Sequence, residues 1–386
     1  LRGVTVSAGC AVMVLRERRL LLMGRTIGIQ DIRDMALGAT VLGAGGGGDP
    51  YVGSLMAIEA IRTYGDVELI EPHEVPDDAI VAVSELMGAP TVSVEKIPGG
   101  FEAGAAYDEM TKELGVAPFA TFSVEAGGAN SMFPFVLAAA RRIPVIDADL
   151  MGRAFPNMEM TTLGIHGVPG TPTVMADAHG NTVTVRTVDD VWFEKIAREV
   201  TFAMGGYSIL CSYPCTGRQL KDFGVLGTAS LCQRIGRAIR ESREAHGDPI
   251  QAVLDITKGY RLFKGKIVDV NRRTDGKFAR GQAVLQGLDD NKGSQMVIDF
   301  QNENIIAWRD GEPVCTVPDL IVLLDCESGT PITTEGLKYG ARVVVCGLPC
   351  DPQWRTPEGL AVVEPRYFGY NVDYIAIEER MGAAGR

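Results

Sequence analysis

The sequence predicts a two-domain α+β chain: an N-terminal α/β domain with a largely parallel sheet, then a β-rich C-terminal domain of sandwich or barrel type. Three observations carry that expectation. Strand-like and helix-like runs alternate with crossover-length connections up to about residue 160. After Tyr260 nearly every run is a short strand bounded by turn residues. With 386 residues, 46% of them hydrophobic and 22% charged, the chain also has enough apolar material for more than one core.

The elements follow in order. VSAGCAVMVL is apolar, but the basic cluster RERR (16–19) follows it instead of preceding it, and LLLMG offers no small-residue cleavage site, so it makes a poor signal peptide. Its apolar runs are too short to span a bilayer. Residues 1–22 are expected to be an extension outside the fold, with MGRTIGIQDIRDMALGA reading as a cytosolic start at Met23. Ile29, Ile32, Met35, Ala36 and Val41 then mark one face of a helix.

That helix leads into LGAGGGGDPYVG (42–53). Gly43, Gly45 and Gly48 satisfy G-x-G-x-x-G, and Glu68 lies about twenty residues on, where a dinucleotide fold places a ribose-binding acid. The context is wrong for a dinucleotide, because the fingerprint requires entry from a strand. Asp49 is a natural N-cap and Pro50 a natural first helical residue, followed by the stripe Leu55, Met56, Ile58, Ala60 and Ile61. An acid at the cap would also repel a pyrophosphate on that helix end. No nucleotide is expected; a divalent metal stays open.

Strand-like VELIE (67–71) and AIVAVSELM (79–87) come next, then a helix over about 104–114, FATFSVEAGG (119–128), a helix over 132–141 and PVIDADLM (144–151). TPTVMADAHGNTVTVRTV (171–188) reads as a hairpin, and DDVWFEKIAREVTFAM and LGTASLCQRIGRAIRESREA as helices. The expected domains are 27–190 and 191–380, the second opening with those two helices.

A formal charge of −12 argues against nucleic acid or an anionic membrane as partner and favours a small molecule. Self-association stays open. Eight cysteines are too sparse for a disulfide scaffold and point to a reducing cytoplasm. Cys211 and Cys215 sit four apart around Pro214, a spacing that either shares a helix face or simply buries two free thiols. Of the histidines, only His166 lies near the acidic segments in sequence.

Those segments hold the candidate chemistry. Glu85, Glu125 and the pair Asp147 and Asp149 end three successive strand-like runs, and in a parallel sheet such ends converge on one rim. Carboxylates sharing a concave site repel, so one is held protonated as an acid while another stays ionised as a base. Asp147 and Asp149 would face one side of a strand, which suits a hard metal ion or a coupled acid/base pair; alternatively Asp147 caps a turn and Asp149 begins a helix. Arg153 either pairs with one of these acids or holds a substrate carboxylate. Asn130, after Gly127-Gly128, offers one donor and one acceptor.

LGAGGGGDPYVG, SELMGAPTVSVEK, EAGGANSMFPFVLAA, PVIDADLMGRAFPNMEMTT, NENIIAW, PDLIVLLDCESGTPITTE and YGARVVVCGLPCDPQWRT occur in an order that resembles the S-methyl thiohydantoin desulfurase family over about 27–375. The resemblance implies an α/β domain followed by a β-rich domain. It also implies hydrolysis of a 2-methylthio-imidazolone ring to a hydantoin with release of methanethiol, and leaves open association with a hydantoinase-type enzyme as a non-catalytic partner or regulatory subunit. For that reaction the strand-end reading makes Glu85, Asp147 and Asp149 the acid/base candidates. It assigns ring contacts to Gly45, Gly46, Gly47, Asp49, Asn130 and Arg153.

Overall fold

The computed structural model describes residues 24–48, 50–88, 92, 96, 98–275 and 278–384; the extension expected at 1–22 and the cap expected at Asp49 lie outside them. The first layer is a sheet of eight strands. They are β1 (Arg25–Ile27), β2 (Val67–Ile70), β3 (Ile80–Gly88), β4 (Thr121–Phe122), β5 (Val145–Ile146), β7 (Thr173–Ala176), β8 (Thr182–Val185) and β9 (Tyr207–Thr216). Between β5 and β7, β6 (Ala148–Asp149) leaves this sheet to pair with β10 (Val225–Leu226). The order is β1-β2-β5-β4-β3-β9-β7-β8, with a parallel core from β2 to β3 and antiparallel strands on either side.

The glycine loop runs from helix α1 (Ile29–Leu42) to helix α2 (Pro50–Tyr64), as the sequence predicts. Helices α3 (Phe101–Leu114) and α4 (Phe133–Arg141) are the crossovers. Phe133, Phe135, Val136 and Leu137 are all buried, so α4 is apolar round its circumference and lies inside the layer. The hairpin forms at β7–β8, and the two later helices at α5 (Asp190–Ala203) and α6 (Thr228–Glu244). Helix α6 crosses α1 at close range, because a Cβ at Gly38 or Gly236 would meet the backbone of the other helix.

One local expectation changes, and one pair of alternatives resolves to buried free thiols. FATFSVEAGG is a strand only at Thr121–Phe122; Ser123 then donates to the Glu125 carbonyl at 2.7 Å and closes a side-chain turn. Cys211 and Cys215 lie on strand β9, as buried free thiols. Pro214 has no N–H for the ladder, and Tyr213 before it takes φ 46°, so the register between β3 and β9 shifts there. Strand β9 also belongs to the first sheet although it follows residue 190.

The C-terminal part is a curled antiparallel sheet of seven strands. These are β11 (Tyr260–Asp275), β12 (Phe278–Gly287), β13 (Gln295–Gln301), β14 (Glu303–Arg309), β15 (Glu312–Thr316), β16 (Leu320–Asp325) and β17 (Arg342–Leu348). Phe263, Ile267, Leu285, Ile298, Phe300 and Val345 fill its interior. The side-chain amide of Asn304 on β14 donates to the Ile321 carbonyl on β16 at 2.8 Å, drawing distant strands of the sheet together. The glycine loop is stitched to this sheet. Asn304 donates its N–H to the Ala44 carbonyl and Thr334 to the Gly45 carbonyl, each at 2.9 Å.

Candidate active site between the two sheets

Three segments converge where the glycine loop meets the curled sheet. The first is the end of β3. Its period of two puts Glu85 on the face shared by Val83 and Met87, and the Ser212 hydroxyl on β9 donates to the Glu85 carboxyl. The second is the loop after β4, where Glu125 accepts from the Asn130 side-chain amide at 2.6 Å. Asn130 in turn accepts from the Leu86 N–H at 2.8 Å and so ties the two segments together. The third is the β13–β14 hairpin, which turns at Asn302 with φ 57° and delivers Glu303.

Together they line a recess of about 80 Å³. A buried water needs roughly 10–15 Å³ on this measure, so the space suits a small five-membered ring with one or two substituents. Gly46, Gly47 and Gly48 form one wall with bare backbone. A Cβ at Gly46 would strike the Glu303 carboxyl, and one at Gly47 the backbone of Gly127. Glu335 lines the rim. Arg198 lines it too, but its guanidinium is held by Glu194 at 2.7 Å and by the Pro156 carbonyl at 2.9 Å.

The carboxyls are out of water and near one another. Burial pushes Glu85 up to about 7 against the Ser212 hydrogen bond. Burial pushes Glu125 up to about 8; the Asn130 hydrogen bond opposes this and the Glu85 charge adds to it. Glu303 stands well above the usual range, through burial and then the Glu125 charge, with Arg153 pulling the other way. Glu303 is 3% exposed, and its Oε2 has no hydrogen-bond partner among the described residues.

The sequence-predicted residues divide. Glu85, Gly46, Gly47 and Asn130 line the recess. Gly45 does not; it packs behind the loop against Asn304 and Thr334. Asp147 and Asp149 do not share an open face, and each is engaged by its own donors. Asp147 accepts from the N–H and hydroxyl of Ser230 in the first turn of α6. Asp149 accepts from the N–H of Ala126 and, at 2.9 Å, of Gly152, and so braces the loop that carries Glu125. Burial holds the Asp149 carboxyl well above its ordinary range. Among the described residues no group of three or more His, Cys, Asp and Glu is arranged to hold a metal ion.

Arg153 faces no ligand space. It is fully buried over the Phe155 ring and donates to the carbonyls of Ala154, Pro318 and Asp319. His166 stacks on Phe223 at 4.4 Å. The sequence reading gave no role to Glu303, Glu335 or Arg198. The available signal for Glu303 was an acid at the head of the apolar strand NENIIAW.

Two family models match the chain: one described as S-Me-THD-like, N-terminal domain, over residues 30–187, and one as S-Me-THD-like, C-terminal domain, over 188–377. The chain belongs to the S-Me-THD-like family. This is the S-methyl thiohydantoin desulfurase family indicated by the motifs. A crystal structure of a protein from Chromobacterium violaceum is similar to this S-Me-THD-like chain with a TM-score of 0.76 at 23% identity, covering 92% of this chain and 100% of that one, which shows a shared fold. No curated protein matches it. No helix among its described residues is long and apolar enough to cross a membrane.

Proposed function

We propose that this S-Me-THD-like protein is a hydrolase that opens the C–S bond of an S-methyl thiohydantoin-type ring. The observation that carries the reading is the pair Glu85 and Glu125, both raised to near-neutral values in a ring-sized recess walled by glycine backbone. Water attacks the ring carbon that bears sulfur, methanethiol leaves, and the ring keeps a carbonyl oxygen and an N–H. One carboxylate must take a proton from water and one carboxyl must supply a proton to the ring nitrogen or the leaving sulfur.

Glu85, the less raised of the two, is the base, and Glu125 the acid. Two neighbouring carboxyls share their protons, so one of each form is present near neutral pH. Asn130 is a positioning residue for Glu125, and Asp149 a positioning residue for the loop beneath it. The test is release of free thiol from S-methyl thiohydantoin by the purified full chain, and its loss in Glu85→Gln and Glu125→Gln. Undiminished release in both variants, or none from the wild-type protein on any such ring, overturns the proposal.

A further inference from the structure

Among the described residues the recess is lined by four carboxyl groups, Glu85, Glu125, Glu303 and Glu335, and by one guanidinium, Arg198, which is already taken by Glu194 and a backbone carbonyl. Glu303 is the exceptional member. It comes from the other sheet, lies against Gly46 and is almost wholly buried, yet its Oε2 meets no donor among the described residues. A carboxyl oxygen kept from water without a partner loses its hydration with nothing in return. A ligand that supplies an N–H to it offsets that loss.

We propose that the recess binds five-membered rings as amidinium-type cations, with Glu303 as the residue that reads the positive charge. The inference rests on the ring-hydrolase reading for the size and placement of the ring. A protonated cyclic amidine carries an N–H on each ring nitrogen and no acceptor there, so one N–H can meet Glu303 Oε2 in a charge-assisted bond, whereas a neutral cyclic urea offers only uncharged N–H groups and a carbonyl oxygen that an ionised Glu303 repels. The hydantoin product is neutral, so this site binds it less well than the cation. The carboxyls are raised, and the charged groups acting on Glu303 are the carboxyls of Glu125 and Glu335 and, opposing them, the guanidinium of Arg153. Binding of a cation therefore releases protons and strengthens as the pH rises from 6 to 9.

The experiment titrates the full chain calorimetrically with 2-methylthio-2-imidazoline, a cation at neutral pH, and with imidazolidin-2-one, its neutral ring counterpart. Buffers of different ionisation enthalpy report the protons released. The cation is expected to bind at least tenfold more tightly at pH 8 with net proton release, and Glu303→Gln to lose most of that preference. Equal binding of the two rings, or tighter binding of the neutral one, overturns the inference. The wild-type comparison stands even where the variant does not fold. The thiol-release assay is read separately. Turnover without cation preference defeats this inference alone; cation preference without turnover supports it and defeats the hydrolase reading alone.

Discussion

Asp149 and Glu125 are both buried carboxyl groups that meet at one loop, through the Ala126 N–H, and they differ in what surrounds them. Asp149 is closed in by backbone N–H groups of Ala126 and Gly152. Glu125 takes hydrogen bonds from the Asn130 amide and the Phe155 backbone N–H, and it faces a recess shared with Glu85 and Glu303. Burial alone therefore does not mark the reacting group here. What separates the two is position: Glu125 stands next to other carboxyls on a space that a ligand can enter, and Asp149 does not. The aspartate shapes the loop, and the glutamate is what the loop presents.

The largest effect that tests this contrast is catalytic. Glu125→Gln should lower thiol release by roughly 10²–10⁴-fold, the usual share of a general acid or base, while the protein stays folded. Asp149→Asn should do the opposite. Its amide turns an N–H toward donors that need an acceptor, at a cost of about 1–3 kcal/mol in stability. Denaturant unfolding beside a rate assay checks both. Equal loss of rate in two equally stable variants would erase the distinction.

Stability against pH comes next. Glu85 and Glu125 hold their protons in the folded chain to about 7 and about 8, above the unfolded value near 4.5. Below that unfolded value both states are protonated and the groups cost nothing extra. As pH rises the unfolded chain ionises first, so stability falls until the folded groups ionise too. For Glu85 the shift corresponds to roughly 3 kcal/mol. Glu85→Gln should thus unfold at a higher denaturant concentration than wild type at pH 8, with a smaller gain or none at pH 4. A gain that does not grow with pH would show that Glu85 is not held protonated.

How much of this is legible in the sequence follows the same line. The helix-to-helix course of the glycine loop could be read because Asp49-Pro50 and the apolar stripes are local signals. The strand-end position of Glu85 was legible from the alternation around it. Asp147 and Asp149 looked open because their partners, Ser230, Ala126 and Gly152, are brought to them by tertiary structure that no spacing announces. Glu303 was hidden for the complementary reason. It stands 178 residues beyond Glu125 in the numbering, on a different sheet, and only the contacts of Asn304 and Thr334 with the glycine loop bring it in.

Gly46→Ala probes that junction more gently. The new methyl group would occupy the place of the Glu303 carboxyl, whereas the loop's bonds to Asn304 and Thr334 run through Ala44 and Gly45 and can persist. Displacing one carboxyl by about an ångström should cost on the order of 10–100-fold in rate. Unfolding should change much less than it does in Asp149→Asn. A variant with wild-type kinetics would remove Glu303 from the reaction.

The smallest effect is the most diagnostic of roles. Asn130 donates to Glu125 at 2.6 Å, a bond that favours the ionised form and lowers the value burial has raised. Asn130→Ala removes it, so Glu125 should move further up, by about one pH unit or less. If Glu125 is the acid, the falling limb of the pH–rate profile shifts to higher pH and the rising limb stays. If the rising limb moves instead, Glu125 is the base and Glu85 the acid. The Leu86 N–H also loses its acceptor, which lowers the rate at every pH but moves neither limb. A profile that only shrinks would mean that neither limb reports Glu125, and that the proton moved in the slow step belongs to another carboxyl of the recess.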